Sequence, residues 1–91
     1  MSVREKIEMI VGDGSLILFD DLDDAIIGVA DNGEVMVTVY SYDKCVEIFM
    51  DINSWTSEES IEWVDYNVLN QNMGINTPIF VFHNEIFQGE V

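Results

Sequence analysis

The tetrapeptide Asp31-Asn32-Gly33-Glu34 separates two runs of strand-forming residues, 25–30 (AIIGVA) and 35–40 (VMVTVY). In the second run Val35, Val37 and Val39 alternate with Met36, Thr38 and Tyr40, which puts one set of side chains on each face of a strand. Asn-Gly takes up positive φ at two successive positions with little steric cost, as a type I′ turn demands. An antiparallel hairpin closed by Asn32-Gly33 is therefore predicted, and the remaining elements must pack around it.

Upstream, Val3, Ile7, Ile10 and Val11 recur at helical spacing, with Ser2 as N-cap and Gly12 as stop. Residues 15–19 (SLILF) form a short apolar run that reads as a further strand. Downstream, Ser41 is placed to cap a helix from Tyr42 to about Ile52. Its inward side is either Cys45, Phe49 and Ile52 or Val46 and Met50. Thr56 and Glu59 have the spacing of a capping box, which opens a second helix running to about Asn72. Ile61, Val64 and Val68, with Trp63, Tyr66 and Leu69, give that helix apolar residues on more than one side. Met73-Gly74 ends it. Ile79-Phe80-Val81-Phe82 is compatible with a last strand, with Pro78 at its start, where a missing N–H is tolerated. The order predicts an α+β fold over residues 1–91: a small antiparallel sheet, hairpin plus C-terminal strand, covered by two or three helices.

Charge restricts the partners. Eighteen Asp and Glu oppose three basic residues, Arg4, Lys6 and Lys44, for a net charge of −15. With 48% apolar and 11% aromatic residues the chain has enough to build a core, so the charge does not signal disorder. A field of this sign repels nucleic acid and anionic membranes, which argues against direct binding to either. Cys45 has no second cysteine to pair with and no Cys/His metal spacing, so a reduced thiol is expected. The first residues lack the apolar stretch of a secretion signal, and no run approaches the roughly 20 apolar residues of a membrane span. A cytoplasmic location follows as the expectation.

Two acidic groups stand out. Asp20, Asp21, Asp23 and Asp24 surround Leu22, without the central Gly and terminal Glu of a calcium loop. This segment reads as a solvated loop, as a protein-contact surface or, third, as a site for Mg²⁺ or Ca²⁺. Glu58, Glu62 and Asp65 follow at i, i+4 and i+7 along one helix side and lack basic i+4 partners that would offset their repulsion. They form either a solubilising face or an interaction face. His83, the single histidine, has no nucleophile near it in sequence, and Gly12-Asp13-Gly14 matches no phosphate-binding loop. No catalytic residue, cofactor site or metal site is assigned. Trp55 and Trp63 read as packing residues or, less simply, as interface anchors.

The series Asp23-Asp24-Ala25-Ile26-Ile27-Gly28-Val29, Tyr42-Asp43-Lys44-Cys45-Val46-Glu47, Ser57-Glu58-Glu59-Ser60-Ile61-Glu62-Trp63, Tyr66-Asn67 and Gly74-Ile75-Asn76-Thr77-Pro78-Ile79-Phe80 resembles a group of small acidic proteins encoded by phages and some bacteria. The resemblance covers about residues 18–82 and implies a context and a fold rather than a reaction. Within it Asp24, Gly28, Asn67, Gly74, Thr77 and Pro78 serve either as turn and cap residues or as parts of one small-ligand pocket. The functional expectation is a non-catalytic inhibitor of a host defence enzyme, of anti-CRISPR or anti-restriction type. It would act in the host cytoplasm by presenting Asp20, Asp21, Asp23, Asp24, Glu58, Glu62 and Asp65 to a basic nucleic-acid-binding surface, with homo-oligomerisation left open. The alternative is a protein that sequesters a small signalling nucleotide, for which only Arg4, Lys6 and Lys44 would offset the ligand's charge.

Overall fold

The computed structural model describes residues 2–11 and 16–82. Its organising element is the hairpin, β1 (Ile26–Asp31) against β2 (Met36–Ser41), paired antiparallel from Ile26↔Tyr40 to Asp31↔Met36. The register shifts between Ile26 and Gly28, a bulge that leaves Ile27 as the extra residue on β1. The turn differs from the two-residue form expected of Asn-Gly. Only Gly33 takes positive φ (99°), and residues 32–35 make a four-residue loop. The Asn32 side chain braces a loop that its own backbone N–H closes on the Val35 carbonyl (3.1 Å): its Oδ1 accepts from the N–H groups of Glu34 (2.9 Å) and Val35 (3.0 Å). Its Nδ2 donates to the Ile75 carbonyl at 2.7 Å, tying the loop to the 3₁₀ turn Gly74–Asn76.

β2 is the central strand of three, and Ser41, its last residue, is also the N-cap of α2 (Tyr42–Asn53), its side chain accepting from Lys44 N–H at 3.2 Å. Strand passes into helix with no connecting loop. α2 turns at Ser54, which adopts the left-handed conformation, and leads into α3 (Ser57–Val64) through the predicted capping box of Thr56 and Glu59. β3 (Ile79–Val81) then joins β2 with Val39↔Ile79, Tyr40↔Phe80 and Ser41↔Val81. This pairing is parallel, so the sheet is mixed rather than wholly antiparallel as expected. The physical reason is the helical crossover: α2 and α3 return the chain to the end where β2 began, and a strand entering there runs alongside β2.

α3 continues as a π-helical turn, Asp65–Leu69, and ends short of the expected Asn72. Ser60, Val64 and Val68 are all buried. Residues spaced by four drift about 40° per step around an α-helix, and one wide i→i+5 turn takes up that drift and keeps Val68 inward. Ser60 fills its buried position by donating its hydroxyl to the Val46 carbonyl at 2.7 Å, which fastens α3 to α2.

The SLILF run does not form a strand over its described part, residues 16–19. It lies along β2, whose side chains meet two of its backbone groups. Thr38 Oγ1 donates to the Ile17 carbonyl (3.0 Å), and the Phe19 N–H donates to the Tyr40 hydroxyl (2.8 Å). Tyr40 is fully buried among Leu22, Ala25, Cys45, Phe49, Val64 and Val68, with its ring stacked on Phe80 at 5.6 Å and tilted against Phe19 at 5.6 Å. α1 (Val3–Val11) lies against β1 and the 3₁₀ turn Asp23–Ala25. Ser2 and Glu5 exchange side-chain-to-N–H bonds at its start (3.2 and 3.3 Å). Gly12, Ser15 and His83 lie outside the described residues.

Removing the Tyr40 hydroxyl should expose its structural role. Tyr40→Phe keeps the ring but strips Phe19 N–H of its acceptor, and should lower stability by about 1–2 kcal/mol. The urea midpoint should fall with an unchanged m-value; an unshifted midpoint would show the bond to be dispensable. Cys45 is 0% exposed and unpaired, and burial pushes its thiol from 9.0 up to about 12. A thiol reagent at pH 8 should label it at the rate of unfolding only, because the reactive thiolate is suppressed and inaccessible. Immediate native labelling would contradict this placement.

Candidate functional site

The acidic loop is sorted by its neighbours. Leu22 is fully buried and pins the segment to the core, while Asp20, Asp21 and Asp24 point to solvent. Asp21 holds φ at 67°, a left-handed conformation that Asp tolerates better than most residues. Asp23 behaves differently. Both of its carboxylate oxygens accept from Arg4 Nε, at 2.9 and 2.8 Å, and the bond holds the Arg4 guanidinium above its ordinary pKa. Asp23 thus anchors α1 to the loop, and the outward acids of this segment are three.

The stripe on α3 is broken in a similar way. Glu58 and Glu62 are exposed, whereas Asp65 is half-buried and accepts a short hydrogen bond from the Tyr42 hydroxyl of α2. Tyr42 itself is buried, with Phe82 stacked on it at 4.3 Å. Burial, and then the Asp65 bond, push its hydroxyl pKa well above the ordinary value of 10.0. Asp65 joins the two helices rather than extending the exposed stripe.

Sequence reasoning did not find the groove beside that stripe. Trp55, Glu59, Glu62, Trp63, Tyr66 and Asn67 line an open depression of about 370 Å³. Trp63 packs against Phe49 (ring centroids 4.6 Å) and Trp55 (6.1 Å), yet remains 37% exposed, and Tyr66 is 76% exposed. The sequence signal was the surplus of apolar residues on α3: once Ser60, Val64 and Val68 take the inner side, Trp63 and Tyr66 face outward. Asn67 Nδ2 donates to the Trp63 carbonyl at 3.0 Å, fixing the amide at the groove's margin.

The residues weighed as a small-ligand pocket have local duties. Gly74 takes φ 75°, and Thr77 Oγ1 donates to the Gly74 carbonyl (2.7 Å) and accepts from Met73 N–H (2.8 Å). Gly28 sits at the β1 bulge, Asn67 bonds within its own helix, and Pro78 is buried where β3 begins. Arg4 is held by Asp23, and Lys44 lies 3.6 Å from Glu47, so these two cations already face carboxylates. Among the described residues, no group of three or more His, Cys, Asp or Glu is placed to hold a metal, and no helix is long and apolar enough to cross a membrane. Comparison with known protein families, with curated proteins and with solved structures returns no match for this chain.

The Tyr42–Asp65 bond carries a pH signature. A group whose pKa is raised by folding stabilises fully below its unfolded value and loses that contribution as pH rises through the folded one. The contribution of Tyr42 should therefore be intact at neutral pH and decline above about pH 10. Tyr42→Phe should cost about 1–2 kcal/mol at pH 7. Because Cys45 also titrates at high pH, the variant and parent should be compared directly. Urea midpoints at pH 8 and 10.5 should converge, and parallel losses would show that Tyr42 does not titrate with folding.

Proposed function

We propose that this chain is a non-catalytic binding protein that occupies the basic groove of a nucleic-acid-binding enzyme through its acidic surface. The carrying observation is the exposure of Asp20, Asp21, Asp24, Glu58 and Glu62 on a chain of net charge −15, whose Arg4 and Lys44 already face carboxylates. Such a surface concentrates negative potential as a phosphate backbone does, so it accelerates encounter with a basic groove and excludes the nucleic acid that would otherwise lie there. The resemblance to small acidic phage proteins makes host defence nucleases, of the restriction and CRISPR classes, the targets to try first.

The test starts from the tagged protein incubated with host lysate. Captured proteins should be nucleic-acid-binding enzymes, released by duplex DNA and by raising salt from about 0.1 M to 0.5 M, since exposed charges are screened over about 10 Å at the lower concentration. The triple variant Asp20→Asn, Asp21→Asn, Asp24→Asn should associate several-fold more slowly with little change in dissociation, because long-range charge acts mainly on encounter. Asp23 is left intact to preserve the Arg4 bond. Capture that neither DNA nor salt disturbs, with parental kinetics in the triple variant, would overturn the mimicry reading.

A further inference from the structure

The groove between Trp55 and the outward side of α3 has a chemistry of its own, and we infer that it seats one arginine side chain of the basic partner. The inference rests on the proposed class of partner but concerns a separate surface, made largely of rings. Trp55, Trp63 and Tyr66 supply π-faces, the groups to which a guanidinium binds best. Among the described residues, every charged group lining the groove is a carboxylate. Glu59 is held in place by its capping-box bond, in which Oε1 accepts from Thr56 N–H at 2.9 Å, so its carboxylate is positioned before any ligand arrives. Glu62 is exposed one turn away, and the Asn67 amide, fixed through Nδ2, carries an oxygen able to accept a guanidinium N–H.

Charge complementarity selects the occupant. A phosphate or carboxylate ligand would meet two glutamates, and a neutral apolar chain would offer no counter-charge to Glu59 and Glu62 beside it. A cation satisfies rings and carboxylates together. Arginine fits better than lysine because its planar group stacks on indole while its edge forks to a carboxylate, and because it is the more weakly hydrated. The exposed acids elsewhere bring a basic surface near, and the groove then adds a short-range contact that does not fade with ionic strength as they do.

The test needs no partner. The isotope-labelled 91-residue chain is titrated with N-acetyl-arginine methylamide, with the neutral citrulline analogue, and with the lysine analogue, while the indole N–H resonances of Trp55 and Trp63 are followed. The arginine compound should give saturable shifts concentrated at those indoles and at the Tyr66 amide, with lysine weaker and citrulline inert. Tyr66→Ala and Glu62→Gln should each weaken binding roughly two- to fivefold, the ratio expected for one exposed cation–π or charge contact. Tyr66→Phe should restore it. Both positions are exposed, so the variants should unfold at the parental urea midpoint; Tyr66→Ala stands in for any Trp63 variant, which would disturb Phe49. Equal shifts with arginine and citrulline, or shifts spread over the acidic loop with no preference for the indoles, would overturn the inference. If the arginine compound binds here while captured partners ignore salt and DNA, the groove stands and the mimicry reading falls. If partner binding is salt-sensitive yet the groove variants bind the arginine compound as the parent does, the groove inference falls alone.

Discussion

The fold depends on one strand buried from both sides. β2 lies between β1 and β3, presents Thr38 and Tyr40 to the segment 16–19 beside it, and hands the chain to α2 at Ser41 without a turn. Tyr40 combines two requirements in one side chain, a large ring that fills the centre of the core and a hydroxyl that satisfies a backbone N–H inside it. Chains this short bury a smaller fraction of their surface than larger domains do, so few residues carry much of the stability. Unusually for such a chain, several of the buried positions are hydroxyls, Thr38, Ser41, Ser60 and Tyr40, each committed to a backbone partner. Those bonds fix where each connection runs.

This arrangement frees the acids for another use. Only Asp23 and Asp65, of the seven singled out, make bonds that hold the fold, and both do so through side-chain partners on another element. The others lie on a loop anchored by Leu22 or on a helix anchored by Ser60, Val64 and Val68, so their mutual repulsion is borne by a core that does not involve them. The like charges therefore stay outward without deciding the topology.

Much of the fold was legible because local signals agreed. Ser41, Thr56 and Glu59 start helices for reasons confined to a few residues, and alternation in 35–40 marks a strand wherever it is placed. What was not legible depended on partners distant in sequence. SLILF has the composition of a strand, and it is Thr38 and Tyr40, each 21 residues after its partner, whose hydroxyls meet the Ile17 carbonyl and the Phe19 N–H where a strand partner would have done so. The parallel pairing of β3 follows from the length and turn of the α2–α3 crossover, which no residue of β3 encodes. For the site, exposure of the acids was readable from type alone. The Asp23 and Asp65 bonds were not, since an ion pair to Arg4 and a bond to Tyr42 join separate elements. Nor was the groove: Trp63 and Tyr66 have the spacing of core residues until Ser60, a polar residue, is found occupying the inner side.

The bulge in β1 has a bearing on how the protein survives at high concentration. Among the described residues β1 pairs with β2 alone, and an edge strand with regular hydrogen-bonding groups is a template on which a second copy can add. Here Ile27, 52% exposed, interrupts the ladder, and Asp24 and Asp31 stand near the two ends of the strand, so an incoming strand meets a misaligned backbone and a negative charge at either side. The geometric guard is permanent, but the electrostatic one is screened by salt, over about 10 Å at 0.1 M. At high ionic strength the bulge is left to keep neighbouring sheets from fusing, which makes concentrated salt the condition under which fibrous assembly would begin at this edge.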